Sequence, residues 1–213
     1  PAIFATQVAL TELLNSKGVH ADSIVGHSVG EVAGFWAAGA LSLTDAALLC
    51  FHRSRLQHTT AGGGRMLAVG LSYPEAELLA KETKYGISIA AINSSNNITL
   101  SGDILGLESI QDQLDRKQIF AKFLDVDVPY HSPVMDSILD ELSTSLTELS
   151  PQKARIPVLS TVTGSLVNGS EIGANYWRKN VREPVNFMAA FKTMYETGNN
   201  MFLEISSHPV LKR

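Results

Sequence analysis

The segment IVGHSVGE, at residues 24–31, contains the pattern G-x-S-x-G at Gly26, Ser28 and Gly30. Two β-branched apolar residues lead into a glycine-bounded turn, and a helix-like run rich in small residues follows it. We predict a buried strand, a sharp turn and a tightly packed helix, an order typical of α/β sheets. On such a turn a serine hydroxyl stands clear of the backbone, and the first N–H groups of the helix face any carbonyl that it attacks. Ser28 is therefore either a nucleophile or a serine that only caps a helix.

The segments on either side of this turn have helical patterns. Apolar residues recur at roughly helical spacing over residues 3–16, and Gly18 follows as a stop signal. Downstream, SLTD at residues 42–45 resembles a capping box, although Asp stands where Glu or Gln is usual. It predicts a helix that continues to about Gln57. Helices that flank a strand in this way indicate an α/β architecture.

The glycine-rich segment TTAGGGRM, residues 59–66, predicts a hinge by its composition. Residues 66–128 then alternate short apolar runs with helical segments in the order β-α-β-β-α-β, which is typical of a ferredoxin-like unit. We therefore predict an α/β fold in two parts. A large α/β-hydrolase-like subdomain with a parallel sheet takes residues 1–63 and 128–213, and a small ferredoxin-like subdomain is inserted at residues 64–127.

The rest of the large subdomain is predicted from four further patterns. We expect a helix over residues 132–149, a strand over 156–164, a long helix within 173–198 and a strand over 200–206.

Composition limits the function classes. The chain has 213 residues and a net charge of -4, which argues against a nucleic-acid surface. No apolar run is long enough to span a bilayer, so we expect no membrane partner. The single cysteine, Cys50, cannot form an internal disulfide, which favours a reducing, cytoplasmic setting. We expect no metal and no bound cofactor.

A serine nucleophile needs a base, and the chain has six histidines. His27 is adjacent to Ser28, so the two side chains should diverge at a sharp turn. His131 lies in VPYHSPVMD, where a strand meets a Pro-bounded turn before a helix. Because α/β sites assemble at strand ends and the loops that follow them, His131 is the best candidate base.

Arg53 lies in the fairly apolar helical segment ALLCFHRSRL. An arginine on a helix is usually a solvated charge. A partly buried guanidinium near a serine nucleophile would instead bind a carboxylate through two parallel hydrogen bonds and select acyl groups that carry one. The residues alone leave open whether Arg53 or Arg55 has this role.

The chain resembles the acyltransferase domain of modular or iterative polyketide synthases and of fatty acid synthases, the malonyl-CoA:acyl carrier protein transacylase family. The resemblance covers nearly the whole chain, and its motifs come in family order. They are GHSVGE (26–31), HRSR (52–55), AGGGRMLAVGLS (61–72), AAINSSNNITLSGD (90–103), VPYHSPVMD (128–136), NVREPVNF (180–187) and FLEISSHPVL (202–211).

The resemblance implies a Ser–His dyad. Ser28 matches the acylated nucleophile, His131 the catalytic histidine, and Val29 supplies an oxyanion N–H. In this family a backbone carbonyl rather than an aspartate steadies the histidine, and Asn186 falls at the position that supplies it. Arg53 matches the arginine that pairs with the substrate carboxylate.

The resemblance also implies a substrate, a reaction and partners. Arg53, His27, Val128 and Tyr130 form the expected substrate-binding set. Malonyl-CoA would acylate Ser28, and the phosphopantetheine thiol of an acyl carrier protein would then take the acyl group. A ketosynthase and other domains of the same synthase are the further expected partners.

Selectivity depends on the tetrapeptide that ends at the catalytic histidine. The family tends to have HAFH for malonyl and YASH for methylmalonyl selection, whereas residues 128–131 read VPYH. A bulky Tyr130 should crowd an α-methyl branch, and Val29 stands where methylmalonyl enzymes often carry Gln. Both positions favour malonyl, with methylmalonyl as the alternative.

Two further readings stay open. The family begins with a strand and a G-Q-G-x-Q loop that supplies a second oxyanion N–H, and neither is in this sequence. We therefore expect a fragment of a larger synthase domain with low activity by itself, and a non-catalytic docking domain is one alternative. The other is an α/β serine hydrolase or thioesterase, for which His208 would be the late histidine.

Overall fold

The structure is a computed structural model, and it describes residues 1–207. A short 3₁₀ helix lies at Pro133–Ile138. The α-helices are α1 (Ala2–Ser16), α2 (Gly30–Ala37), α3 (Leu43–His58), α4 (Tyr73–Glu82), α5 (Ile104–Arg116), α6 (Leu139–Ser145), α7 (Ala174–Arg182) and α8 (Phe187–Glu196). The strands are β1 (Ile24–Val25), β2 (Arg65–Val69), β3 (Ile87–Ser94), β4 (Asn97–Gly102), β5 (Ala121–Phe123), β6 (Val158–Ser160) and β7 (Ser165–Val167).

The larger part of the molecule is built on a sheet of order β1-β6-β7. β1 pairs with β6 in parallel, as predicted. Of the strand predicted over residues 156–164, only β6 forms, and it pairs antiparallel with β7, a strand that the sequence pattern does not predict. Only residues 161–164 connect β6 to β7, and a connection this short permits an antiparallel pair but no parallel crossover. Phe35, Leu49 and Trp177 are among the fully buried residues of the core beside this sheet.

The predicted β-α-β-β-α-β order is confirmed between Arg65 and Phe123. Its four strands form an antiparallel sheet of order β3-β4-β2-β5, which is the ferredoxin-like arrangement. The unit has its own core, in which Leu67, Leu100 and Ile110 are buried. We call this unit, β2 to β5 with α4 and α5, the small subdomain.

The helix starts follow local chemistry. Ser42 caps α3 as predicted, because its hydroxyl accepts a hydrogen bond from the Asp45 N–H at 3.0 Å. The long helix predicted within 173–198 is wrong, since α7 and α8 are separate helices. Pro184 lies between them, and Glu183 before it is extended at φ -79° and ψ 159°. The residue before a proline avoids helical backbone angles, which ends α7.

The helix predicted over residues 132–149 is shorter and divided, consisting of the 3₁₀ helix and α6. The strand predicted over residues 200–206 is wrong. Among residues 1–207 this segment pairs with no strand. The Phe202 ring lies 4.6 Å from that of Phe191, and the Ile205 carbonyl accepts from Gln7 at 3.1 Å. Within residues 1–207, no helix has both the length and the apolar character to cross a membrane.

The small subdomain is joined to the rest by a backbone bridge. The Ile92 N–H of β3 donates to the Val185 carbonyl at 2.8 Å, and the Val185 N–H donates to the Ala90 carbonyl at 2.9 Å. Val185 lies in the connection between α7 and α8. The bridge therefore fixes that connection against β3.

Candidate active site

Ser28 occupies a sharp turn between β1 and α2. Its φ is +53°, in the left-handed region that residues other than glycine rarely adopt. Gly26 makes this turn sterically feasible, because a Cβ there would collide with the backbone of Gly30 and Glu31. The strand, turn and helix predicted from IVGHSVGE are thus present, and they leave Ser28 partly exposed.

The turn directs the Ser28 hydroxyl at His131, which comes from the loop before the 3₁₀ helix. The Ser28 Oγ and His131 Nε2 atoms are 2.8 Å apart. His131 is also left-handed, at φ +58°, and only 4% exposed. Two strained residues that meet at a hydrogen bond indicate a geometry maintained by the surrounding packing.

The carbonyl behind His131 belongs to Glu183 and not to Asn186, so that part of the prediction is wrong. His131 Nδ1 lies 2.8 Å from the Glu183 oxygen. Asn186 instead starts α8, where its carbonyl accepts from Ala190 and its N–H donates to Thr161. The extended residue before Pro184 turns its carbonyl toward His131, three positions earlier than the motif suggested.

This carbonyl fixes the protonation of the ring. A carbonyl can only accept, so Nδ1 carries the hydrogen and Nε2 is free to accept from the Ser28 hydroxyl. Burial first, and the charge of Arg53 second, lower the pKa of His131 to about 3. His131 is therefore a neutral acceptor at neutral pH.

Arg53 and Arg55 have different environments. Arg55 lies at the surface and forms an ion pair with Glu141 at 2.8 Å. Arg53 is 2% exposed, and its Nη2 donates to the Ser28 Oγ at 3.1 Å. Burial lowers the pKa of Arg53 to about 10, so the guanidinium stays charged at neutral pH. Its Nε and Nη1 atoms are buried without a partner in the part of the chain that the structure describes.

Val29 is exposed at the start of α2. The Gly30 N–H donates to the His27 carbonyl and the Glu31 N–H to the Ser28 carbonyl. Among residues 1–207 no acceptor takes the Val29 N–H. This N–H is thus available beside the Ser28 hydroxyl, as an oxyanion donor must be.

His27, Val128 and Tyr130, the other residues of the predicted substrate-binding set, differ in their environments. His27 diverges from Ser28 as predicted, and its Nε2 lies 2.8 Å from the Asn93 Oδ1 of the small subdomain. Burial lowers the pKa of His27. Val128 is buried in the core, whereas Tyr130 packs against that core only in part. Burial raises the pKa of Tyr130, and the charge of Arg53 acts on it in the opposite direction.

Several contacts of the site were missed by the sequence reasoning. They involve Glu183, Asn93, Glu31 and Asn180, all of which lie within the motifs quoted above. A carbonyl has no side-chain signature, and the partners of the buried Glu31 carboxylate lie more than a hundred residues along the chain, after β6 and on α7. Sequence spacing could therefore not pair them. His208, the base of the hydrolase alternative, lies outside the described residues.

The arrangement can perform nucleophilic acyl chemistry. A hydroxyl, a neutral imidazole and a free N–H converge on one partly exposed point, and a buried cation touches the same hydroxyl. In the described range, 1–207, no group of three His, Cys, Asp or Glu residues could hold a metal ion.

Comparisons with known proteins agree with this geometry. The acyl transferase domain family matches residues 1–213. Erythronolide synthase EryA2 from Saccharopolyspora erythraea is 36% identical over 211 residues, covering 99% of this chain and 6% of that protein. The acyltransferase domain from module 8 of the salinomycin polyketide synthase superposes with a TM-score of 0.96 at 34% identity.

That superposition covers 99% of this chain and 50% of the solved chain. MCAT from Streptococcus pneumoniae aligns with a TM-score of 0.87 at 26% identity, over 99% of this chain and 71% of that one. The chain thus spans half of one solved relative and a small part of a much longer synthase. Its α/β-hydrolase-like and ferredoxin-like parts are those of these solved structures. This chain belongs to the acyl transferase domain family.

Proposed function

We propose that the chain transfers a carboxyacyl group, most readily malonyl, from its coenzyme A thioester to the phosphopantetheine thiol of an acyl carrier protein. The intermediate is an ester on Ser28, and no bound cofactor takes part. The single observation that carries the proposal is Arg53, a buried cation that touches the nucleophile and has two unpartnered nitrogens.

The environment of Arg53 explains why a carboxylate is the preferred group. A buried charge without its hydrogen bonds is costly, and a planar guanidinium is satisfied best by the two oxygens of one carboxylate. An acyl group that carries a free carboxylate would supply both oxygens while its thioester carbon lies at Ser28. A carboxylate can bridge Nη2 and one of the two unpartnered nitrogens, whereas an acetyl group has no oxygens to offer them.

The first half-reaction uses the dyad directly. The Ser28 Oγ attacks the thioester carbon, and its proton moves to the His131 Nε2. The Glu183 carbonyl holds the ring as it becomes an imidazolium, and the Val29 N–H stabilises the oxyanion. The C–S bond then breaks, and His131 returns the proton to the departing coenzyme A sulfur.

The second half-reaction repeats these steps in the opposite direction. His131 takes the proton of the carrier-protein thiol, the sulfur attacks the ester carbon, and the Ser28 Oγ leaves and recovers its proton. Thioester and ester differ little in energy, so orientation and oxyanion stabilisation account for most of the catalysis.

The test is acyl-enzyme formation. With radiolabelled malonyl-CoA we expect one stable label on the wild type, none on Ser28→Ala, and transfer of the label when an acyl carrier protein is added. Arg53→Ala should lose malonyl labelling while acetyl labelling survives or rises. Arg55→Ala, on the same helix but paired at the surface, is the matched control and should label normally. Equal loss of malonyl and acetyl labelling in Arg53→Ala would refute the carboxylate role.

We also propose that Tyr130 disfavours an α-methyl branch, because it lies one residue before His131 and within electrostatic reach of Arg53. Tyr130→Ser should raise methylmalonyl labelling relative to malonyl by roughly 10-fold, the range that one or two methylene-sized contacts provide. Competition between the two thioesters, followed by mass analysis of the acyl-enzyme, gives the ratio. Leu48→Ser, at an exposed position of α3, serves as control, and an unchanged ratio in Tyr130→Ser would contradict the assignment.

A further inference from the structure

A carboxylate lies buried directly beneath the nucleophile. Glu31 is 0% exposed in the first turn of α2. Its Oε1 accepts from the N–H and, at 2.9 Å, from the hydroxyl of Thr161. Its Oε2 accepts from the Tyr176 hydroxyl and from the Asn180 Nδ2, each at 2.7 Å. Glu31 thus links the turn that carries Ser28 to the residue after β6 and to two positions of α7 through hydrogen bonds.

The polarity of this network is fixed. A main-chain N–H and an amide nitrogen can only donate, so both oxygens of Glu31 are committed as acceptors. Burial raises the pKa of Glu31, and these hydrogen bonds act against that rise. The same negative charge acts favourably on the buried guanidinium of Arg53.

One member of the network also contacts the turn itself. The Asn180 Nδ2 donates both to Glu31 and, at 3.3 Å, to the carbonyl of Ser28. The Ser28 carbonyl and the Val29 N–H belong to one planar peptide unit, so a group that holds the oxygen also sets the direction of the N–H. Ser28 has a strained φ of +53°, and such a peptide keeps its orientation only if neighbouring groups hold it.

We propose that Glu31 and Asn180 are positioning residues that lock the Ser28–Val29 peptide and thereby aim the Val29 N–H at the developing oxyanion. Glu31 orients the Asn180 amide, and Asn180 adds a side-chain hydrogen bond to the one that the Glu31 N–H donates to the same carbonyl at 3.0 Å. The inference rests on the proposed function in so far as Ser28 is the nucleophile, but it does not depend on which acyl group is transferred.

The fixed polarity allows a structural role to be separated from a positioning role. In Glu31→Gln the Thr161 N–H still needs an oxygen, so the new amide nitrogen faces Asn180. It then either meets the Nδ2 donor, and that bond is lost, or it turns the Asn180 amide over so that the otherwise unpartnered Oδ1 accepts from it. In both cases Asn180 no longer donates to position 31 and the Ser28 carbonyl together. Adding Asn180→Asp restores a hydrogen bond between positions 31 and 180 with reversed polarity, and it also restores the net charge. The Asp oxygen, however, then faces the Ser28 carbonyl and repels it. The double variant therefore restores the hydrogen bond between positions 31 and 180 but not the one from position 180 to the Ser28 carbonyl.

The readout is phosphonylation of Ser28 by a neutral alkyl fluorophosphonate. The Ser28 Oγ forms a bond to phosphorus, the P–F bond breaks and releases fluoride, and His131 takes the hydroxyl proton. The phosphoryl oxygen occupies the oxyanion position, so the rate reports on the Val29 N–H without any carboxyacyl group. Phosphonylation rates, from intact-protein mass, and urea unfolding midpoints are measured on the same variants of the 213-residue chain.

We expect Glu31→Gln to slow phosphonylation roughly 10- to 100-fold, the range for a misplaced catalytic group. The Glu31→Gln/Asn180→Asp variant should recover its urea midpoint and stay slow. If the double variant recovers its phosphonylation rate together with its urea midpoint, the proposal is wrong. It is also wrong if Glu31→Gln reacts at the wild-type rate, or if the wild type does not react at Ser28. Glu108→Gln, on the exposed face of α5, is the control.

A second comparison decides the question if the double variant does not recover its midpoint. Thr161→Val removes an equally buried hydrogen bond to Glu31 but leaves the hydrogen bonds of the Ser28 carbonyl in place. Asn180→Ala removes a hydrogen bond to Glu31 and also one to the Ser28 carbonyl. Asn180→Ala should be slower than Thr161→Val by at least about 10-fold, and equal rates would overturn the proposal. If the wild type is phosphonylated but accepts no malonyl group, the proposed function fails while the positioning inference stands.

Discussion

At the residue scale, the dyad is organised around a neutral histidine. His131 is buried, donates from Nδ1 to the Glu183 carbonyl and accepts at Nε2 from the Ser28 hydroxyl. The nearby charge of Arg53 makes protonation of the ring still less favourable. A histidine in this setting stays able to accept a proton well into the acidic range.

This environment predicts the pH dependence of acylation. A lowered pKa means that the base stays deprotonated at lower pH, and for His131 that pKa is about 3. The acylation rate with malonyl-CoA should therefore stay nearly constant from about pH 8 to about pH 5 and fall only below that. Rapid-quench measurements of acyl-enzyme over this range give the profile. A midpoint near the ordinary histidine value would show that the ring is not desolvated in the working enzyme.

The residues that the sequence could identify are those whose side chains do chemistry. The motifs pointed to Ser28, His131 and Arg53, and the structure brings all three to one hydroxyl oxygen. Their catalytic roles stay predictions. The Glu183 carbonyl could not be assigned correctly, because a main-chain group has no residue preference, and a three-residue error follows from not knowing where α7 ends.

At the element scale, the decisive unit is β1, the turn and α2. Among its glycines, Gly26 has no room for a side chain, because the backbone at the start of α2 lies directly against it. The packing of α2 on this strand end places the Val29 N–H beside Ser28. Helix position and oxyanion geometry therefore depend on the same contact.

Gly26→Ala tests this dependence. The new methyl group would push the backbone of Gly30 and Glu31 away, so we expect a loss of about 2 kcal/mol or more in unfolding free energy and a slower acylation. Urea unfolding and acyl-enzyme formation measure the two effects. Gly86→Ala, where an added Cβ meets nothing within 4 Å, is the matched control and should change neither.

Elements were predictable from sequence where a local signal was sufficient. The Ser42 cap, α1 and the six-element order of the small subdomain all follow from pattern and capping chemistry. The division of the long helix depends on Pro184, whose local effect on Glu183 interrupts an otherwise helical pattern. The antiparallel β7 follows from the short connection after β6, which no local signal indicates. The segment over residues 200–206 has strand composition but finds no partner strand within the described range, 1–207.

At the scale of the whole molecule, the small subdomain is linked to the site through hydrogen bonds made by β3. Asn93 of β3 bonds to His27, the neighbour of Ser28, and the backbone bridge joins β3 to Val185. Val185 is two residues from Glu183, whose carbonyl holds His131. Both halves of the dyad thus have a link to the small subdomain, and no sequence spacing could have indicated this. The division at residues 64–127 and the cytoplasmic setting stay predictions.

Asn93→Ala tests the link between the small subdomain and the nucleophile, because it removes the hydrogen-bond partner of His27. It leaves the His27 Nε2 without its partner, and an unpaired buried polar group costs about 1–3 kcal/mol. We expect a lower urea midpoint and slower acylation of Ser28. Asn96→Ala, in the same hairpin but exposed, should leave both unchanged. Normal acylation in Asn93→Ala would show that the small subdomain does not influence the nucleophile.

The bridge between β3 and Val185 also sets a rule for building hybrid enzymes. A chimera that exchanges only the small subdomain between two relatives would join one parent's β3 to the other parent's connection after α7. Any mismatch there would be transmitted to the Glu183 carbonyl and would rotate the His131 ring, although no active-site residue had been changed. A crossover design should therefore take residues 87–94 and 183–186 from the same parent.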